Sequence, residues 1–286
     1  MTTEQRPIAG ILWMCASSAW FAASYMVLRI LSEDMSVYEL TFFRAVVACA
    51  FLGGWIMMRR PQTIRVRRWR LYTIRSAATY GAMLAMVYGI ANAQIADVTS
   101  LQLTTPLFTV LLAALFLGEK VDTGRWIALV VGGAGALLII RPGFAEVTFA
   151  SFSGLLAGLG YGVANFGTKA LTRTDHPDAV AFWMYALIIP ISLPAAIAHW
   201  TTPSWNDVPL IILLGALTTM SQFTMARAFN SADTSVVLPG FYLQMPFAAG
   251  FAMLLFGEIT TVWVWAGAAI IAVSAYVTAV RERRDG

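Results

Sequence analysis

Charge is scarce in this chain. Of its 286 residues, 12% are Asp, Glu, Lys or Arg, about half the share of an ordinary soluble domain. Cysteine is scarcer still. Cys15 and Cys49 both lie inside apolar runs, which excludes a disulfide-stapled secreted scaffold. The two histidines, His176 and His199, form no His-Glu-x-x-His pair, so that zinc motif is missing. No Gly-x-x-x-x-Gly-Lys-Ser/Thr segment occurs, which removes ATP as the driver. No Asp or Glu falls near the middle of any apolar run. A proton site built on a membrane-buried carboxylate therefore has no candidate. An intramembrane enzyme finds no catalytic constellation, and no catalytic residue, metal or cofactor is expected. A channel or sensory receptor is the competing class, and saturable exchange of labelled substrate would separate a carrier from a channel.

What the chain has is apolar length. Hydrophobic residues make up 59% and the mean hydropathy is +0.71. A soluble fold of this size has too little interior to hide that surface, and disorder is excluded by the same figure. Ten apolar runs can be read at 8–31, 36–58, 71–93, 98–118, 123–141, 150–171, 179–199, 208–229, 234–257 and 260–280. A spanning helix takes about 20 residues, so ten use about 200 of them. Strands are excluded because the runs are too long and do not alternate. The first run reads as a span rather than a cleavable leader, because further spans follow at once. Gly118-Glu119-Lys120-Val121-Asp122 and Gly257-Glu258-Ile259-Thr260 leave room only for tight turns. Asp97-Val98-Thr99-Ser100 and Asp233-Thr234-Ser235 place an acceptor where a helix should begin, an N-cap pattern.

The basic residues set an orientation. Sixteen of the 19 Lys and Arg fall on the side of the N-terminus, only Arg29 and Arg141 fall opposite, and Arg44 lies inside a span. By the positive-inside rule both termini are expected in the cytoplasm. The net charge of +4 needs no nucleic-acid partner. The Arg59–Arg75 cluster suits a loop beside anionic headgroups. The expected location is a bacterial inner membrane, with lipid as the surrounding partner.

The chain also repeats itself. Ala96-Asp97-Val98-Thr99-Ser100, Pro106 and Leu117-Gly118-Glu119 recur as Ala232-Asp233-Thr234-Ser235, Pro246 and Phe256-Gly257-Glu258. Trp126 and Trp265 each follow seven residues after the Glu. Ser17-x-x-Trp20-x-x-x-Ser24 aligns with Gly158-x-x-Tyr161-x-x-x-Asn165. Five spans per half is an odd number, so the second half enters from the opposite face. The expected fold is therefore all-α and integral to the membrane: ten helices in an inverted five-plus-five repeat, divided at 1–145 and 146–286. Inverted repeats characterise secondary transporters, with the substrate near the midplane between the halves.

These features, together with Phe42-Phe43-Arg44 in the second span and Gly-Glu closing the fourth and ninth, resemble the drug/metabolite transporter superfamily, EamA family. The resemblance covers essentially the whole chain. Within the superfamily the aromatic-rich spans are similar to the YddG-type aromatic amino-acid exporters. That likeness implies a central cavity lined by spans 1, 3, 4, 6, 8 and 9. It also implies export of amino acids, aromatic ones especially, as the small-molecule substrate. Multidrug or other metabolite transport within the superfamily is the alternative.

Polar residues in hydrocarbon are costly, so their placement is informative. Trp13, Ser17, Trp20 and Ser24 share one face of span 1, and Tyr161, Asn165 and Thr168 one face of span 6. The candidate substrate residues are Trp20, Ser24, Tyr80, Met83, Gln102, Tyr161, Asn165, Gln222 and Tyr242. Each has an alternative role as helix-packing glue, and the Gly154/Gly158/Gly162 row reads better as a packing surface. Pro106, Pro239 and Pro246 are candidate hinges, because proline bends a helix. Arg44 lies about 12 Å into span 2 at 1.5 Å per residue. It reads either as a carboxylate clamp or, preferred, as a structural group satisfied by carbonyls or by Glu39. Glu119 and Glu258 read as caps of spans 5 and 10. The expected assembly is a monomer, with Gly-rich span 5 as the surface for any homodimer.

Overall fold

In the computed structural model the described residues are 7–59, 66, 68–105, 107–109, 111–112, 123–140, 148–172, 175, 177–231 and 240–285. Their helices are α1 (Pro7–Leu31), α2 (Val37–Arg59), α3 (Trp69–Asn92), α4 (Ile95–Gln102), α5 (Thr123–Ile140), α6 (Phe149–Thr172), α7 (Pro177–Ala198), α8 (Val208–Ser231), α9 (Gln244–Phe256) and α10 (Val262–Asp285). No strand occurs among the described residues. The all-α expectation of ten helices is met, one for each apolar run. By length and composition α1, α2, α7 and α8 carry stretches able to cross a membrane, and α5, α9 and α10 carry shorter apolar ones. Arg75, Ser76 and Thr79 interrupt the apolar sequence of α3, which stays helical throughout, and are buried.

The packing pairs the halves reciprocally. α1 lies on α8 and α9, while α6 lies on α3 and α4. α2 meets α7 and α8, and α7 meets α2 and α3. α4 meets its counterpart α9, and α5 meets α10. Exchanging each helix for its counterpart five places along reproduces these contacts, the most extensive among the described residues, as a pseudo-two-fold repeat requires.

Lipid offers no hydrophobic drive for helices to associate, so close approach must do that work. Glycine supplies it. A Cβ on Gly154 would meet the Val98 carbonyl, one on Gly158 the Thr104 hydroxyl, and one on Gly162 the Phe108 side chain. The expected packing row is therefore the seat of span 4 on α6. Gly135 of α5 likewise approaches the Gly267 carbonyl of α10, so this part of span 5 is used within the chain.

Span 4 starts three residues earlier than expected. Its N-cap is Gln94, in extended backbone without a side-chain cap bond, and Asp97 sits inside the first turn. The acceptor comes from the other half: Glu258 Oε2 takes the Ile95 N–H at 2.9 Å. Glu258 thus caps α4, not span 10. Gly257 ends α9 at φ 69°, a left-handed conformation that glycine adopts without a Cβ penalty. That turn delivers Glu258 to α4. Glu119 and the Asp233–Ser235 motif lie outside the described residues.

Candidate substrate site

Two helices are broken at matched places. α4 stops at Gln102, followed by a turn at Leu103–Thr104, with helix again at Thr105. In the second half a turn at Tyr242–Leu243 precedes α9. In a membrane, broken backbone must find internal partners. Here hydroxyls supply them. Thr104 Oγ1 donates to the Leu101 carbonyl and Thr105 Oγ1 to the Gln102 carbonyl, each at 2.7 Å. Ser18 Oγ on α1 donates to the Gly240 carbonyl at 2.8 Å.

The two breaks face each other across one polar cluster. Tyr25 of α1 donates its hydroxyl to Gln102 Oε1 at 3.0 Å. Gln244 Nε2, the first residue of α9, donates to Tyr25 Oη at 2.7 Å and to Gln102 Oε1 at 3.1 Å. All three side chains are buried. Gln244 Oε1 has no hydrogen-bond partner among the described residues. The triangle draws two members from the first half and one from the second.

A second group adjoins it. Tyr80 and Met83 of α3 pack with Met184, Tyr185 and Ile188 of α7. Tyr161 of α6 packs against this group and also against the core that contains Tyr25. Tyr185 is hydrogen-bonded to the Gln222 side chain of α8. Arg44 of α2 is only 3% exposed and lies in electrostatic reach of Tyr25, Tyr161 and Tyr185.

The expected site residues therefore separate. Gln102 joins the triangle, while Tyr80, Met83, Tyr161 and Gln222 belong to the adjoining aromatic group. Trp20 is 39% exposed and Asn165 is exposed. Ser24 is buried but donates to Phe21 of its own helix at 2.7 Å. Tyr242 packs with Met245 and Leu103 on the side of α5 and α10, beside Phe241 at 6.1 Å between ring centroids. Pro246 lies in the first turn of α9, where the missing N–H has no intrahelical partner to lose. The helical break in span 9 falls at Tyr242–Leu243, ahead of this proline. Pro106 and Pro239 lie outside the described residues.

Glu39 is not the partner of Arg44. Its carboxylate accepts from Ser36 N and Oγ, and from Thr201 N and Oγ1 at 2.6 Å each. Sequence reasoning missed Tyr25 and Gln244. Tyr25 is one residue off the chosen face of span 1. Gln244 stands two residues before Pro246, as Thr104 stands two before Pro106, which was the available signal.

The EamA-like transporter family matches this chain twice, over residues 8–141 and 148–280. The chain belongs to that family. It is a multi-pass membrane transporter of small molecules, not an enzyme. A riboflavin transporter of Rhizobium johnstonii is 29% identical over 98% of this chain and 94% of its own. An S-adenosylmethionine uptake transporter of Rickettsia bellii is 24% identical over 92% and 90%. The pseudopaline exporter CntI of Pseudomonas aeruginosa is 23% identical over 93% and 94%. None of these three names an aromatic amino acid. A solved crystal structure superposes with a TM-score of 0.65 at 17% identity, covering 96% of this chain and 98% of the other, a likeness of fold alone.

Proposed function

We propose that this EamA-family protein carries a small solute with a planar ring and polar edges, riboflavin first among candidates, by alternating access. The carrying observation is the Tyr25–Gln102–Gln244 triangle at the paired helix breaks. Broken helices meeting at a repeat interface are where secondary transporters hold their substrates. The phenols of Tyr25, Tyr161 and Tyr185 offer ring faces and edges for stacking. Gln102 and Gln244 offer oriented donors and acceptors that suit an amide-like ring edge. The riboflavin transporter of Rhizobium johnstonii supports this choice.

Aromatic amino acids are the second reading, favoured by Arg44 as a partner for their carboxylate. Their ammonium group is less well served, because the charge beside the phenols is positive. In this proposal the termini face the cytoplasm of a bacterial inner membrane, following the distribution of Lys and Arg.

The test is flux in liposomes holding the purified chain, with labelled riboflavin and labelled tryptophan run separately. Saturable riboflavin counterflow above that of empty liposomes is expected. Tryptophan flux without riboflavin flux would select the second reading. Absence of both would remove the ring-solute assignment.

A further inference from the structure

Arg44 is a buried cation with donors left open among the described residues. Its Nε and Nη1 have no hydrogen-bond partner among the described residues. Guanidinium carries five N–H donors in a planar fork, and leaving a charged group buried without partners costs several kcal/mol. Glu39 and two of the three phenols in its electrostatic reach are otherwise engaged. Glu39 holds Ser36 and Thr201. The Tyr25 hydroxyl already donates to Gln102 and accepts from Gln244, and Tyr185 is bonded to Gln222. Arg75, also buried and likewise without a partner at Nε, differs at its terminal nitrogens: its Nη1 donates to the Val180 carbonyl at 2.8 Å and its Nη2 reaches Met184 Sδ.

We infer that Arg44 is the specificity-determining anchor of the substrate site and takes a planar, acceptor-rich edge, either a carboxylate or the adjacent carbonyls of a heteroaromatic ring. The inference rests on the proposed site and deepens it by naming the group that enters first-rank contact with the protein. A fork of parallel N–H groups matches two oxygens lying in one plane. Tyr25 stands between the two ends of such a ligand, in reach of Arg44 and bonded to Gln244. The unpartnered Gln244 Oε1 is then the acceptor for an N–H or ammonium beside those oxygens. The corollary is exclusion: a ring carrying only a cationic arm meets a like charge at Arg44 and binds poorly.

The experiment uses two probes with one ring and opposite arms, indole-3-acetate and tryptamine. Each is added to the full chain purified in detergent, and the shift in thermal unfolding is read. Each is also tested as an inhibitor of riboflavin counterflow. Wild type is expected to prefer indole-3-acetate by about tenfold, the worth of one charge-assisted contact. Arg44→Gln is expected to erase that preference, and Arg44→Lys to keep part of it. Without ligand, Arg44→Gln should unfold no earlier than wild type, because it removes a buried charge two of whose three nitrogens have no partner among the described residues.

Riboflavin and tryptophan run alongside distinguish the source of the edge, since the true one loses its thermal shift in Arg44→Gln. Equal binding of the two indole probes to wild type would defeat the inference. So would a preference that survives in Arg44→Gln. Collapse of the fold in both variants would defeat it too, by showing that the guanidinium is a structural group. The thermal readout needs no transport, so a riboflavin flux of zero would remove the proposed function and leave this assignment standing or falling on its own.

Discussion

Glu258 of the second half closes the N-terminus of a helix in the first, its Oε2 accepting the Ile95 N–H at 2.9 Å. Its Oε1 stands 3.9 Å from Arg29 Nη2. Arg29 in turn donates to the Ala93 carbonyl at 2.9 Å and to the Ile90 carbonyl. One carboxylate thus ties α1, the end of α3, the start of α4 and the end of α9. The four meet at one end of the molecule, the outer end in the proposed orientation.

The two roles of Glu258 can be separated. Losing a helix-capping acceptor costs about 0.5–2 kcal/mol, whereas a part-exposed ion pair contributes about 0–1 kcal/mol. Glu258→Gln keeps an oxygen for Ile95 and gives up the charge, while Glu258→Ala gives up both. Thermal unfolding in detergent should show a clear loss for Glu258→Ala and little for Glu258→Gln. Equal losses would assign the stability to Arg29 and not to the cap.

The Tyr25–Gln102–Gln244 triangle predicts a specific non-additivity. Tyr25→Phe removes the shared hydroxyl but leaves Gln244 Nε2 on Gln102 Oε1, so its cost should be modest, about 1 kcal/mol. Gln244→Ala cuts two bonds at once. Because the residues share partners, the double variant should lose less than the two single losses added together. Flux should fall in each variant by more than protein abundance does. Additive losses in a full cycle would show that the three side chains do not act as one group.

Gly158 ties the packing row to the break in span 4. A Cβ there would stand 2.5 Å from Thr104 Oγ1, and that hydroxyl serves the Leu101 carbonyl. Gly158→Ala should therefore destabilise by about 1–3 kcal/mol through overpacking, with the broken segment displaced. Gly133→Ala is the control, since nothing lies within 4 Å of its Cβ position. Folded yield and thermal midpoint separate them, and equal values would show that the row tolerates wider spacing.

Which parts of this arrangement could be read from the chain follows from how local each signal is. The ten helices, the repeat and the glycine row depend on hydropathy and short-range spacing, and these survive without knowledge of neighbours. Gln102, Tyr80 and Tyr161 stand out in the sequence because a polar or aromatic residue in an apolar run has few places to go. The phase of span 1 was harder. Ser24 and Tyr25 are adjacent, and only the position of α9 makes Tyr25 the residue that meets Gln244. Caps supplied across the repeat leave even less trace. Glu258 lies more than 160 residues from Ile95, so the local Asp97 looked like the cap. Arg44 was visible as a charge in a span, but the engagement of Glu39 by Thr201 depends on where α7 ends.

The placement of acids bears on the energy source. Among the described residues the buried or half-buried carboxylates are Glu39, Asp97, Asp175, Asp207 and Glu258, and each sits at or near a helix end. Glu39 and Glu258 are held by backbone N–H groups. None lies beside the Tyr25 triangle, whose hydrogen bonds run only among a phenol and two amides. A proton antiporter that works by direct competition loads its proton where the substrate binds, and the triangle offers no carboxylate there. Riboflavin counterflow should therefore run at equal pH on both sides and keep its rate when an ionophore collapses any pH difference. Flux that appears only under an imposed proton gradient would contradict this and direct the search for a proton carrier to Asp97 and Glu258, at the entrance rather than the centre.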